Sequence, residues 1–258
     1  KRISYKGGKL KAEASGKVDG YINDSFSIDE YDGYLRVVTT DDETNGLYIL
    51  DSKMKEVGSI TGLAEGEQVY SARLLGDTGY FVTYEQTDPL FSVDLSDPKN
   101  PKIIGKLKIP GFSEYLHFYG ENQLLGIGMD VDEDGFTTNG VKLSMFDISD
   151  SSDVKEIQKY TLENVYSAAV MYDYKAVLID PEKNVIGFAA DGNNGENYYV
   201  FSYNNTNGFE CLMSEMVNGN GYQSARGVYV DNTLYVVKGN IIEAYDMADY
   251  QKIDDLIL

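Results

Sequence analysis

Basic residues are scarce in this chain, histidine and cysteine occur once each, and there are only five prolines. The 22 lysines and arginines face 42 acids, for a formal net charge of −20. Such a chain has no basic patch with which to neutralise nucleic-acid phosphates or to hold an anionic membrane surface. Its charge favours solubility and attracts cationic partners or metal ions. With Cys211 alone, no intramolecular disulfide forms, and a lone thiol reads as a core residue. One histidine cannot build a His-rich zinc or copper site, and His117 lies far from Cys211 in sequence. No Gly-x-Ser-x-Gly elbow and no phosphate-binding glycine loop occur. No apolar run approaches the roughly 18 residues that span a bilayer, and no signal-peptide pattern is read in these residues. The chain opens on Lys1 in place of methionine, the mark of a processed or trimmed product, so any targeting signal is expected to have gone with the missing part.

What the sequence has in abundance is tyrosine, phenylalanine and glycine: 22, 10 and 26 residues respectively. Aromatics suit pleated, half-buried strands, and glycines suit many tight turns. A short apolar strand recurs, beginning at Tyr34, Tyr80, Leu124, Val185 and Leu234, at intervals of 46, 44, 61 and 49 residues. These intervals sit near the roughly 40–50 residues of a propeller blade. A second strand follows each anchor and usually ends in an acid, as in Leu47–Asp51, Leu90–Asp94, Leu143–Asp147 and Ile241–Asp246. A more polar strand comes after it, and another precedes each anchor, opened by Tyr70-Ser71-Ala72-Arg73, Tyr115-Leu116-His117, Tyr166-Ser167-Ala168-Ala169 or Ser224-Ala225-Arg226. No stretch of helical period competes. The reading is an all-β protein, a β-propeller or an arc of one. It has about five four-stranded blades (21–64, 65–110, 111–163, 164–217 and 218–258) and an N-terminal half-blade over 1–20. An outer half-blade with nothing upstream implies an N-terminally truncated part of a larger propeller; local pairing and closure by five blades is the alternative.

The segments Asp24-Ser25-Phe26-Ser27-Ile28-Asp29-Glu30-Tyr31-Asp32-Gly33, Tyr70-Ser71-Ala72-Arg73 and Asp88-Pro89-Leu90-Phe91 form one set with the run from Val93 through Ile109-Pro110-Gly111-Phe112-Ser113 to His117. Together they resemble a family of secreted bacterial and archaeal proteins that carry a C-terminal β-propeller domain of unknown function. The likeness is dense from about Val18 to Ile148 and looser beyond. It implies a propeller fold, an extracellular or cell-surface location and further strands upstream. It carries over no reaction and no catalytic residue.

Two constellations are candidate sites. In a four-stranded blade the loops between the second and third strands share one face, and four of five such loops are acidic: Asp41-Asp42-Glu43, Glu85 with Asp88, Asp130 to Asp134, and Asp191 with Glu196. The sharpest pattern is Asp130-x-Asp132-x-Asp134-Gly135, in which alternating acids on a tight loop offer the hard oxygens that calcium needs. Val141 at the twelfth position excludes an EF-hand, and Thr138 holds the ninth. Calcium is therefore the one cofactor the sequence offers a site for, and an acidic hairpin insertion is the other reading of the same loop. The second constellation lies on the innermost strands, where aligned positions hold Ser27, Arg73, His117, Ala169 and Arg226. Arg73, His117 and Arg226 are expected at the channel mouth, able to hold a carboxylate, sulfate or phosphate through charge-assisted bonds. The competing expectation is that each arginine clamps neighbouring blades through an acid such as Glu67.

With no catalytic constellation visible, the expected function is a non-enzymatic interaction module that binds a protein, peptide or glycan through its acidic loop face. Its other partner would be the missing N-terminal blades of the same protein. No nucleic acid is expected, and no membrane insertion by this segment. A carbohydrate-active hydrolase or lyase using carboxylates near the channel is the alternative, and a structural spacer the third.

Overall fold

The computed structural model describes residues 1–84, 88–132, 137–220 and 223–258. Among these no α-helix forms, and the only helical pieces are 3-10 turns of three residues. Among the described residues no helix is long and apolar enough to cross a membrane. The chain divides into two compact units, Lys1–His117 with Asp147–Lys155, and Phe118–Phe146 with Glu156–Leu258.

In the first unit β1 (Arg2–Ser4) and β2 (Lys11–Ala14) form a two-stranded antiparallel sheet. Two four-stranded sheets follow, each in sequence order. The first is β3 (Ile28–Tyr31), β4 (Tyr34–Thr40), β5 (Asn45–Leu50) and β6 (Glu56–Leu63). The second is β7 (Gln68–Leu75), β8 (Thr78–Tyr84), β9 (Asp88–Asp94) and β10 (Lys102–Ile109). The recurring strand pairs are their centres: Val38 and Leu47 face each other across β4 and β5, as do Phe81 and Phe91 across β8 and β9. Both faces of these central strands are covered, so they read as continuous apolar runs rather than as alternating ones. Val38, Leu47 and Ile49 of one sheet pack with Val69, Ala72, Phe81 and Val93 of the next in one cluster. Each fully buried Leu, Ile or Phe contributes about 1.5–3 kcal/mol. Where the sheets meet at the rim, a Cβ on Gly58 would collide with the Pro98 carbonyl, so that position must be glycine.

The third sheet is β11 (Phe112–Phe118), β12 (Gln123–Val131), β13 (Thr138–Asp147) and β14 (Lys155–Glu163), again in sequence order. The second unit continues with β15 (Val165–Ala168), β16 (Val177–Asp180), β17 (Val185–Gly192), β18 (Gly195–Asn204) and β19 (Gly208–Met216). It closes with β20 (Arg226–Val230), β21 (Thr233–Lys238), β22 (Ile241–Asp246) and β23 (Lys252–Ile257). The fourth sheet departs from a simple four-strand reading. Its innermost strand is split, β15 and β16 both pairing with β17, and two 3-10 turns, Ala169–Met171 and Tyr174–Ala176, intervene. That excursion lies within the 61-residue interval between the third and fourth anchors.

The acids that end the third strands have a mechanical task. Asp51 Oδ1 accepts from the Lys53 and Lys55 amides, and Asp94 and Asp147 each accept from the amide two residues on, at 2.9 Å. Asn204 does the same in the fourth sheet and Asp246 in the fifth. A side-chain oxygen bonded to the amide two residues later imitates a backbone turn, so each corner into the outermost strand is fixed by one Asx residue. The bonds hold the carboxyls of Asp51, Asp94 and Asp147 below the ordinary range.

Candidate functional site

In the first unit, a polar cluster gathers on the innermost strands. Asp24 Oδ1 accepts from the Phe26 amide at 2.8 Å, the Ser27 amide at 3.2 Å and the Ser27 hydroxyl at 3.3 Å, capping the short turn Ser25–Ser27. The turn lays the Phe26 ring against Arg73 of β7, with its centroid 3.5 Å from the guanidinium carbon. Tyr115 of β11 lies on the same guanidinium at 4.8 Å. Two residues earlier on each strand, the Ser71 hydroxyl donates to the Ser113 carbonyl at 2.6 Å, fixing the register between β7 and β11. Arg73 is only 6% exposed. Its Nη1 donates to the Ala72 carbonyl at 2.7 Å, while Nη2 is buried with no hydrogen-bond partner among the described residues. Burial lowers its pKa, opposed by Tyr115 and Asp24; an arginine starts so high that it stays a cation.

Strand alternation puts Ser113, Tyr115 and His117 on one face of β11 and Glu114 on the other. The Tyr115 hydroxyl and His117 Nδ1 lie 3.1 Å apart. Burial, then the charge of Arg73, pushes the His117 pKa down to about 4, so the imidazole is neutral at pH 7. Glu114 is displaced the other way: burial raises its carboxyl to about 7, and Oε2 is buried without a partner among the described residues. No second carboxylate contributes to that rise.

The structure thus brings Arg73 and His117 around one tyrosine. Arg226 belongs to the second unit, where it pairs with Asp173. Glu67 bonds the Thr83 hydroxyl. In the acidic loops, Asp41 caps its own turn through the Glu43 and Thr44 amides, and Glu85 lies outside the described residues. Asp130 is 5% exposed and accepts from Lys159 Nζ at 3.1 and 3.4 Å and from the Thr161 hydroxyl at 3.1 Å. Asp132 accepts from the Thr137 amide at 3.3 Å, and Asp134 lies outside the described residues. Among the described residues no three metal-ligating side chains come together. Cys211 is half-buried, its thiol directed to the Met213 carbonyl at 3.3 Å and its pKa raised by burial, which makes it a poor nucleophile.

Phe26, Tyr115 and Glu114 are the members that motif reasoning did not select. Phe26 follows an Asp-Ser-Phe-Ser cap signature, and Tyr115 and His117 differ by two, the spacing that shares a strand face. Those two signals could have placed both rings beside Arg73. Burial of Glu114 has no local signal.

Successive antiparallel sheets, four of them four-stranded with each strand beside its neighbour in sequence and one with a split first strand, define the blades of a β-propeller. The chain belongs to the β-propeller domain family, whose model matches residues 1–250. It is 43% identical over 251 residues to an uncharacterized protein of Archaeoglobus fulgidus, covering 97% of this chain and 38% of that protein. It is 42% identical over 246 residues to uncharacterized protein MJ1554 of Methanocaldococcus jannaschii, covering 92% of this chain and 37% of that one. The chain therefore spans less than two-fifths of the length of these relatives. Among solved structures, AztD of Citrobacter koseri superposes with a TM-score of 0.56 at 17% identity, over 90% of this chain and 58% of that one, a likeness of fold.

Proposed function

We propose that this propeller domain is a non-enzymatic interaction module binding a protein, peptide or glycan, and that Arg73, backed by Tyr115 and His117, receives an acidic group of the ligand. One observation carries the reading. Arg36 is bonded to Asp29 and Arg226 to Asp173, but Arg73, buried between two rings, keeps Nη2 unfilled. A buried cation with an unmet donor is unfavourable, and a carboxylate fits the planar fork of a guanidinium. Phe26 covers the guanidinium, so entry requires that ring to swing aside. That ring also packs edge-on against Tyr115, with the centroids 6.3 Å apart. An extracellular or cell-surface setting belongs to this proposal too; fractionation of the native cells tests it.

Calorimetric titration with N-acetylaspartate and with glucuronate, as peptide-like and glycan-like carboxylates, tests the site. Binding is expected for the wild type and is lost in Arg73→Met. That variant should unfold no more easily than the wild type, because replacing an unpaired buried charge by an apolar chain of similar length is neutral or stabilising. Equal binding by both proteins, or none by the wild type at tens of millimolar probe, refutes the assignment. One observation favours a second reading: Glu114, protonated up to about pH 7, has the ionisation of a general acid. A glycosidase also needs a second carboxyl about 5–10 Å away. Hydrolysis of nitrophenyl glycosides that disappears in Glu114→Gln would shift the assignment to that reading.

A further inference from the structure

The two sheets at the end of the chain lie in one unit and can be compared side by side. The fourth sheet turns Ala189, Tyr198, Val200 and Met213 toward the fifth, where they share a cluster with Leu234, Val236, Ile241 and Tyr245. Burial there is close to complete, from 0% exposure at Ala189, Tyr198 and Val200 to 5% at Met213. The fit is tight enough that a side chain on Gly227 of β20 would overlap the Tyr198 hydroxyl. In each sheet, then, one face is built to be covered by the sheet that follows.

The fifth sheet has the same second face, uncovered. Its register sets Val228 opposite Tyr235, Tyr235 opposite Ala244, Val237 opposite Ile242 and Ile242 opposite Leu256, so all six side chains share the side away from Leu234 and Val236. Val228 is 54% exposed and Leu256 56%. They line an open groove of about 550 Å³ with Asp254 and Asp255 beside it. A contiguous apolar patch of this kind on a sheet face marks a contact surface.

We propose that this face docks a further four-stranded blade belonging to the same polypeptide and lying outside residues 1–258. The pattern of the preceding sheet gives the kind of occupant: a β-sheet presenting small and apolar side chains. The relatives supply its source, since the chain matches only 38% and 37% of their lengths, leaving most of each polypeptide to provide more sheets. A second copy of the chain fits less well. Two copies would bring together net charges of −20 each and would lose translational freedom on association, whereas a tethered blade is already at high effective concentration.

Thiol protection tests this. Val237→Cys, in a Cys211→Ser background, is placed both in the 258-residue chain and in the natural polypeptide that contains it. Lys53→Cys in an exposed turn serves as the control. Iodoacetamide should label Cys at position 237 at least 100-fold more slowly in the natural polypeptide than in the 258-residue chain, with the control labelled equally in both. Equal rates at position 237 overturn the proposal. So does slow labelling in the 258-residue chain itself: if protection grows with concentration alongside a dimer in sedimentation, the occupant is a second copy, and if it persists on dilution the face is covered from within the chain.

Discussion

Replacing Glu114 by glutamine removes one of two opposed proton equilibria on β11. His117 binds a proton at about pH 4 in the folded protein against 6.5 unfolded, so between those values the folded state holds fewer protons. Its contribution to stability therefore grows as pH rises through that window and is lost as pH falls. Glu114 titrates at about 7 folded against 4.5 unfolded, so the folded state holds more protons and stability declines as pH rises from about 4.5 to about 7. The windows overlap and the signs are opposite, so in the wild type the two slopes largely cancel. A displacement of this size corresponds to about 3 kcal/mol for a fully buried group, and about 2 kcal/mol after allowing for solvent screening of these partly exposed ones. Urea unfolding measured from pH 5 to pH 8, above the sequence pI of about 4.3, reads the difference between variant and wild type directly. Glu114→Gln should gain on the wild type by about 1–2 kcal/mol between pH 5 and pH 8, and His117→Gln should lose about as much relative to the wild type over the same range. A difference that does not vary with pH, in either variant, would refute the burial and charge argument at that residue.

Other expectations concern the scaffold. Asp147→Ala should cost about 1 kcal/mol in urea unfolding through loss of its corner bond, while Asp147→Asn, imitating Asn204, should cost only a few tenths; equal losses would mean that charge, not the Asx bond, holds the corner. Gly227→Ala should destabilise by about 1–3 kcal/mol or more through overlap with Tyr198, and an unchanged urea midpoint would contradict the packing of the last two sheets. Because the Lys159 ammonium already holds Asp130, millimolar calcium should leave the wild-type melting temperature unchanged. A rise on adding calcium would show that the ion displaces Lys159, and would restore a calcium loop at Asp130 and Asp132.

Much of the fold is legible in the sequence because it rests on short-range regularities. The strand pairs at Tyr34, Tyr80, Leu124 and Val185 are buried on both faces, so their apolar runs stand out, and the Asx residue at the end of each third strand marks a corner. The broken inner strand of the fourth sheet was not legible. Ala168-Ala169-Val170 continues a strand-like apolar pattern, and only tertiary packing sends it into a 3-10 turn that buries Ala169 and Val170. At the candidate site, alignment of the inner strands was enough to bring Arg73 and His117 together. Which arginines are paired was not readable, since Arg226 finds Asp173 across 53 residues and within the excursion that the repeat does not contain. The rings around Arg73 come from residues about 42 and 47 positions away, contacts between blades that no local periodicity encodes.

Since the protein has a single histidine, its imidazole gives one isolated NMR signal, and that signal reports on the inner-strand cluster. A titration of the free protein should place the His117 midpoint near pH 4, rising when a carboxylate probe sits beside Arg73 and offsets its charge. A midpoint near 6.5, unmoved by the probe, would mean that the ring stands in water away from Arg73, and the packing of β7 against β11 that supports the proposed site would be wrong.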